Sequence, residues 1–172
     1  MKHLYLILFV CSFLACKNET KKGDTPFANC KCGKPEPIFK EGGEAIIADR
    51  NFTMTKESGI ENISFKDGVE LQVIQSGCNE IIQEFTFSYK KDDSKGDAEF
   101  WKDQAIVEFK KIGSISDRYF PFKQWATAIE AAKPMLKIGE AVELEKDFFV
   151  TIDKIQNGEN VQLMVKLHAK SC

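Results

Sequence analysis

Between Ile63 and Tyr89 apolar residues recur at every second position, and that period of two constrains the fold more than any other feature. Ile63 and Phe65 alternate with Asn62 and Ser64. Val69, Leu71 and Val73 alternate with Glu70 and Gln72, and Phe85, Phe87 and Tyr89 with Glu84, Thr86 and Ser88. Successive side chains of a strand point to opposite faces, so these runs describe a sheet with one buried and one wetter face. Asp67-Gly68 separates the first two runs, and both residues tolerate the positive φ of a tight hairpin. Ser76-Gly77 turns the chain before the third. With two short strands expected at 44–49 and 51–56, residues 44–90 read as an antiparallel meander.

The period then changes. After the charged loop 90–97, Asp97 stands where a helix N-cap belongs, and Ala98, Trp101, Ala105, Phe109 and Ile112 follow at helical spacing up to Gly113. A second helix is expected after Pro121, with Phe122, Trp125, Ala126, Ile129 and Ala132 on one stripe and Pro134 beyond its end. Alternation returns in Phe148, Val150 and Ile152 and again in Val161, Leu163, Val165 and Leu167, with Asn157-Gly158 in the connection as a hairpin signal. The order predicts an α+β fold in which an antiparallel sheet, meander plus C-terminal hairpin, packs against two helices. A closed barrel with helical decoration is the alternative.

The first sixteen residues bear on location. Lys2 precedes an unbroken apolar core from Leu4 to Val10, and Ala15 stands just before Cys16. The apolar run falls short of the roughly 20 residues a spanning helix needs. Phe13-Leu14-Ala15-Cys16 resembles the lipobox of bacterial lipoproteins, in the looser form found in Bacteroidota. The resemblance implies a signal peptide over 1–15 and lipidation of Cys16, and hence a lipid-anchored chain at the outer membrane, facing the periplasm or the cell surface. Lys17 following the cysteine is similar to the enterobacterial signal for outer rather than inner membrane. Lys17-Asn18-Glu19 partly resembles a surface-export signal, from which Asn18 departs. An ordinary cleaved leader ending near Ala15 is the alternative. Residues 16–29 then form the lipidated cysteine and a polar tether, with a reach of at most roughly 45 Å. A single globular α+β domain is expected over 30–172.

Cysteine usage agrees with export. Cys11 leaves with the leader and Cys16 is taken by lipid, so Cys30, Cys32, Cys78 and Cys172 remain, an even set that reads as two disulfides. Cys30 and Cys32 are too close in sequence to bond each other without a very tight ring, so each is expected to reach one of Cys78 and Cys172. Both such pairings stay open. A redox or metal site at the C-x-C pair would call for further thiols or histidines nearby.

Other chemistry finds little support. The chain carries 24 basic and 26 acidic residues, and only Lys2 leaves with the leader. Near-neutral charge argues against a nucleic-acid partner. His168 alone among histidines remains after processing, and it falls opposite the apolar set of its strand, toward water. Asp92-Asp93-Ser94-Lys95-Gly96-Asp97, with Asp103 eleven residues after Asp92, has the oxygen density of a calcium loop. Yet Gly96 and Asp97 occupy positions where an EF-hand needs a ligand and a glycine respectively, and a solvated loop with a helix cap explains the same residues. Glu80, Glu84, Glu143 and Glu145 could supply paired carboxylates, with nothing in the sequence to pair them. No catalytic residue, metal ligand or cofactor is therefore assigned. In the run Tyr119-Phe120-Pro121-Phe122 the helix stripe claims Phe122, while Tyr119 and Phe120 are expected to be exposed between the helices and available to a partner. The function expected is that of a non-enzymatic envelope lipoprotein whose stapled domain binds another macromolecule, a role comparable, by size and location, to that of lipoprotein inhibitors or immunity proteins. The alternatives are a small-molecule or glycan-binding lipoprotein and an envelope hydrolase with a non-standard site.

Overall fold

The computed structural model describes residues 27, 29–40, 42–89, 96–157 and 160–172. The leader 1–15, Cys16, the tether up to residue 26, the loop residues 90–95 with Asp92 and Asp93, and Gly158 lie outside the described residues.

Seven antiparallel strands form one sheet in the order β1-β2-β3-β4-β7-β6-β5. The strands are β1 (Ile47–Met54), β2 (Ser58–Phe65), β3 (Glu70–Ser76), β4 (Ile81–Ser88), β5 (Ala141–Glu145), β6 (Phe148–Asn157) and β7 (Asn160–Ala169). Helices α1 (Ala98–Gly113) and α2 (Phe120–Ala132) are inserted between β4 and β5. The fold is the α+β arrangement expected from the alternating runs. The C-terminal hairpin is part of the same sheet as the meander, because β7 pairs with β4 from Ile81↔Ala169 to Ser88↔Gln162.

Register places every expected inward residue on one face. Ile63, Leu71, Phe87 and Leu163 form one cross-strand row, and Val73, Phe85, Val165 and Ile152 another, all buried. The helices cover this face. Phe85 meets Phe109 of α1 at 5.2 Å and Phe122 of α2 at 5.7 Å, both edge to face. Such contacts add to the area each ring removes from water. The Asp97 side chain accepts from the Phe100 N–H at 2.9 Å and starts α1 as anticipated. At the Asp67-Gly68 turn Gly68 takes φ 93° and its N–H reaches the Phe65 carbonyl, joining β2 to β3.

Three boundaries differ from expectation. Residues 47–54 form one strand rather than two, because a register shift between Ile47 and Asp49 absorbs the break in alternation. α2 starts at Phe120, with Pro121 inside its first turn where a missing N–H costs nothing. Strand β5 pairs with β6 at the sheet edge without having been anticipated, since Glu143 and Glu145 mask its short alternation.

The two disulfides are Cys30–Cys78 and Cys32–Cys172, which selects one of the two open pairings. They gather the N-terminal segment, the β3–β4 turn and the C-terminus at one pole of the sheet. From that pole the segment 33–40 runs across the inner face of β2 and β3, where the helices do not reach. Pro35 lies against Gly59, the Gln75 amide donates to the Glu36 carbonyl at 2.7 Å, and the Phe39 ring enters the core against Tyr119 at 5.3 Å.

Candidate functional site

The period of two that buries one face of the sheet leaves the other open. No described element covers it. Its side chains are fixed by register in four rows. Ser58, Ser76, Ile82, His168 and Phe149 lie nearest the disulfide pole, and Ile60, Ile74, Glu84, Lys166 and Thr151 come next. Asn62, Gln72, Thr86, Met164 and Asp153 form the third row, and Ser64, Glu70, Ser88, Gln162 and Ile155 the fourth. Ile60, Ile74 and Ile82 make a contiguous apolar patch amid amides, hydroxyls and carboxylates. Seven strands about 4.8 Å apart and some eight residues long present roughly 750 Å² in projection. That is close to the ~800 Å² each partner contributes to a standard protein interface.

Within this face a hollow of about 330 Å³ is lined by Asn62, Glu70, Gln72, Thr86, Ser88 and Gln162, with Leu71 and Ile155 completing it. Its polar groups are tied together. Gln72 donates to Asn62 at 3.0 Å, Gln162 to Ser88 Oγ at 2.7 Å, and the Ser64 hydroxyl to Glu70.

A second concavity, about 280 Å³, lies between α2 and the β5–β6 turn, lined by Gln124, Trp125, Ala128, Leu144, Glu145 and Phe148. The Trp125 and Phe148 rings stand 6.0 Å apart and form its aromatic wall.

The exposure expected for the aromatic pair holds for one residue only. Phe120 is 54% exposed, but Tyr119 is 3% exposed. The connection between the helices is a single 3-10 turn over Asp117–Tyr119 that runs straight into α2, and this tight path rotates Tyr119 inward. Its ring packs against Phe39 at 5.3 Å and Phe122 at 6.4 Å. Tyr119→Ala is therefore expected to destabilise the fold by about 3–5 kcal/mol, whereas Phe120→Ala shifts it by less than about 0.5 kcal/mol. Urea melts of the two variants check this, and equal losses from both would contradict the assignment.

His168 lies on the outer face, its Nε2 2.8 Å from Glu80 Oε2 and its ring 6.1 Å from Phe149. The candidate carboxylates are dispersed. Glu84 on β4 faces Lys166 in the ladder, while Glu143 on β5 stands three ladder steps away, roughly 14 Å. Glu143 also accepts the Asp147 N–H at 2.9 Å across the β5–β6 turn. Asp103, the far member of the calcium pattern, is ion-paired at 2.6 Å with Lys133 of the helix–strand connection.

Sequence reasoning missed Glu61. It shares the inward parity of Ile63 and Phe65, is 1% exposed, and accepts the backbone N–H groups of Ile38 at 2.7 Å and Phe39 at 3.0 Å. Burial pushes its carboxyl above the usual glutamate range, against those two N–H groups and the nearby Arg50 charge, which pull it down. Arg50 in turn donates to the carbonyls of Phe39 and Gly42, so Glu61 and Arg50 together hold the backbone at Ile38, Phe39 and Gly42. The signal was the parity itself: a lone charged residue on the buried side of an alternating run.

No protein-family model, curated protein or solved structure matches this chain. What fold and site together define is a disulfide-stapled α+β domain with helices on one face of its sheet and the other face left uncovered by the described residues.

Proposed function

We propose that this chain is an envelope-anchored, non-enzymatic lipoprotein whose stapled domain binds another macromolecule through the outer face of its sheet. The open face is the observation that carries the reading. It is large enough for a standard interface, and it sets an isoleucine patch within hydrogen-bonding side chains, the apolar-centre and polar-rim composition of protein docking surfaces. The continuous ladders that fix its side chains support the same reading, because a preformed surface loses little conformational entropy on binding. The lipobox resemblance supplies the anchor. The chain enters the domain at the disulfide pole, so a tether from Cys16 joins the sheet at one end of its strands and leaves the broad face free along their length.

The test is made in cells. A photo-reactive p-benzoylphenylalanine at position 86, on the outer face, should yield a discrete protein adduct on irradiation. The same group in place of Thr127, exposed on α2, should not. Mass spectrometry should find the mature N-terminus acylated at Cys16, and Cys16→Ala should leave the membrane fraction and lose the adduct. Absence of an adduct from position 86, or equal adducts from both positions, would contradict the reading.

The second reading, a small-molecule or glycan-binding lipoprotein, is favoured by the Trp125–Phe148 groove, where an aromatic wall stands between the polar Gln124 and Glu145. Binding of simple sugars that perturbs Trp125 and is lost in Trp125→Ala, with no adduct from position 86, would select it.

A further inference from the structure

We propose that the partner is a protein that docks through a basic side chain, a guanidinium or ammonium, seated in the hollow beside Glu70. This rests on the sheet-face reading above and names the chemistry of what binds there.

The first argument is how charge is distributed. Among the outer-face residues paired in the ladders are Asp49, Glu70, Glu84, Glu143 and Asp153, against Lys166 as the one lysine or arginine. Among the described residues two further basic groups lie on that face, both at its disulfide pole and away from the hollow: His168, bonded to Glu80, and Lys170, whose ammonium sits 4.5 Å over the Phe149 ring. The whole chain carries a formal charge of only −2, so negative charge is concentrated on this face rather than spread over the molecule. Such a surface accelerates encounter with a basic partner and repels phosphate backbones and acidic proteins.

The second argument is the hollow. Among its lining residues Glu70 carries the sole charge, and none is basic. Gln72 and Gln162 each donate an amide N–H to a neighbour inside the hollow, so the hydrogen-bonding capacity they retain is weighted toward acceptor oxygens. A carboxylate ringed by amide and hydroxyl oxygens matches the donors of a guanidinium or ammonium group, and the Ile155 side chain suits its aliphatic stem. The isoleucine patch of Ile60, Ile74 and Ile82 lies on the same face toward the disulfide pole, where it offers an apolar seat beside the charged one.

The probe is a triarginine peptide titrated into the chain from Lys17 onward, which contains every described contact, and followed by amide chemical shifts. Triglutamate serves as the control. Expected are shifts confined to the surroundings of Asn62, Gln72, Thr86 and Ser88. Glu70→Gln should weaken binding about tenfold, a typical loss for one desolvated charge pair, while Glu57→Gln at the exposed β1–β2 turn should leave it unchanged. Shifts spread evenly over the surface, indifference to Glu70→Gln, or equal binding of triglutamate would overturn the proposal. In cells, Glu70→Gln should also reduce the adduct formed from position 86. A full adduct that ignores Glu70→Gln would overturn the basic partner and leave sheet docking standing. No adduct, with intact triarginine binding at the hollow, would overturn sheet docking while the hollow's preference for cations stands.

Discussion

Replacing Cys32 and Cys172 together by serine should cost the fold on the order of 4–5 kcal/mol, because that bridge closes a loop spanning 140 residues of sequence separation. Cross-linking distant residues removes conformations from the unfolded ensemble, and the gain grows slowly with loop length. The bond also does local work. It holds the C-terminus to the segment that carries Phe39 into the core, so its loss frees the C-terminus while Cys30–Cys78 still pins that segment. Urea unfolding of the oxidised wild type and the double variant measures the difference. The variant should unfold at lower urea with a larger slope, since an uncrosslinked chain exposes more surface. A loss under about 1 kcal/mol would contradict the structural role assigned to the bridge.

Glu61 gives the second large effect. Glu61→Ala should destabilise the domain by roughly 3–5 kcal/mol, because two backbone N–H groups lose their acceptor and a buried volume is left unfilled. The pH dependence has a definite sign. Burial raises the folded carboxyl above its ordinary value of 4.5, so between that value and its folded pKa the folded state binds more protons than the unfolded state. Stability then falls as pH rises through this window. Glu108, also pushed upward chiefly by its burial, contributes a slope of the same sign. Glu61→Gln isolates the clamp: the stability difference between wild type and this variant should shrink as pH rises from about 4.5. A difference that grows with pH would show that the two N–H donors and Arg50 outweigh burial.

Much of the fold was legible because it follows from periodicity. Alternation in Ile63–Phe65, Val69–Val73, Phe85–Tyr89 and Val161–Leu167 set both the strands and their buried face, and Asp97 set the start of α1. What escaped was decided by tertiary context. Tyr119 was expected outside because it lies between helices, yet the length of a single 3-10 turn sent it inward. Phe39 stands in a proline-containing stretch without periodicity, and only the clamp formed by Glu61 and Arg50 brings it into the core. Strand order brings the β3–β4 turn and the C-terminus to the same pole, but the disulfide pairing depended on how the chain at Cys30 and Cys32 threads between them, which spacing does not specify. The outer face was visible as a set of polar alternating positions, but the gathering of Asn62, Glu70, Thr86, Ser88 and Gln162 into one hollow required the register of three ladders.

Hydroxyl-radical footprinting of intact envelopes against the purified chain tests sheet-face docking most directly. Met164 lies on the outer face beside Thr86, whereas Met135, 62% exposed, follows α2 on the helical side. A partner seated on the sheet should protect Met164 and Phe149 from oxidation in envelopes and leave Met135 and Phe120 as reactive as in the purified chain. Equal reactivity of Met164 in both samples, or protection confined to Met135 and Phe120, would contradict docking through the sheet.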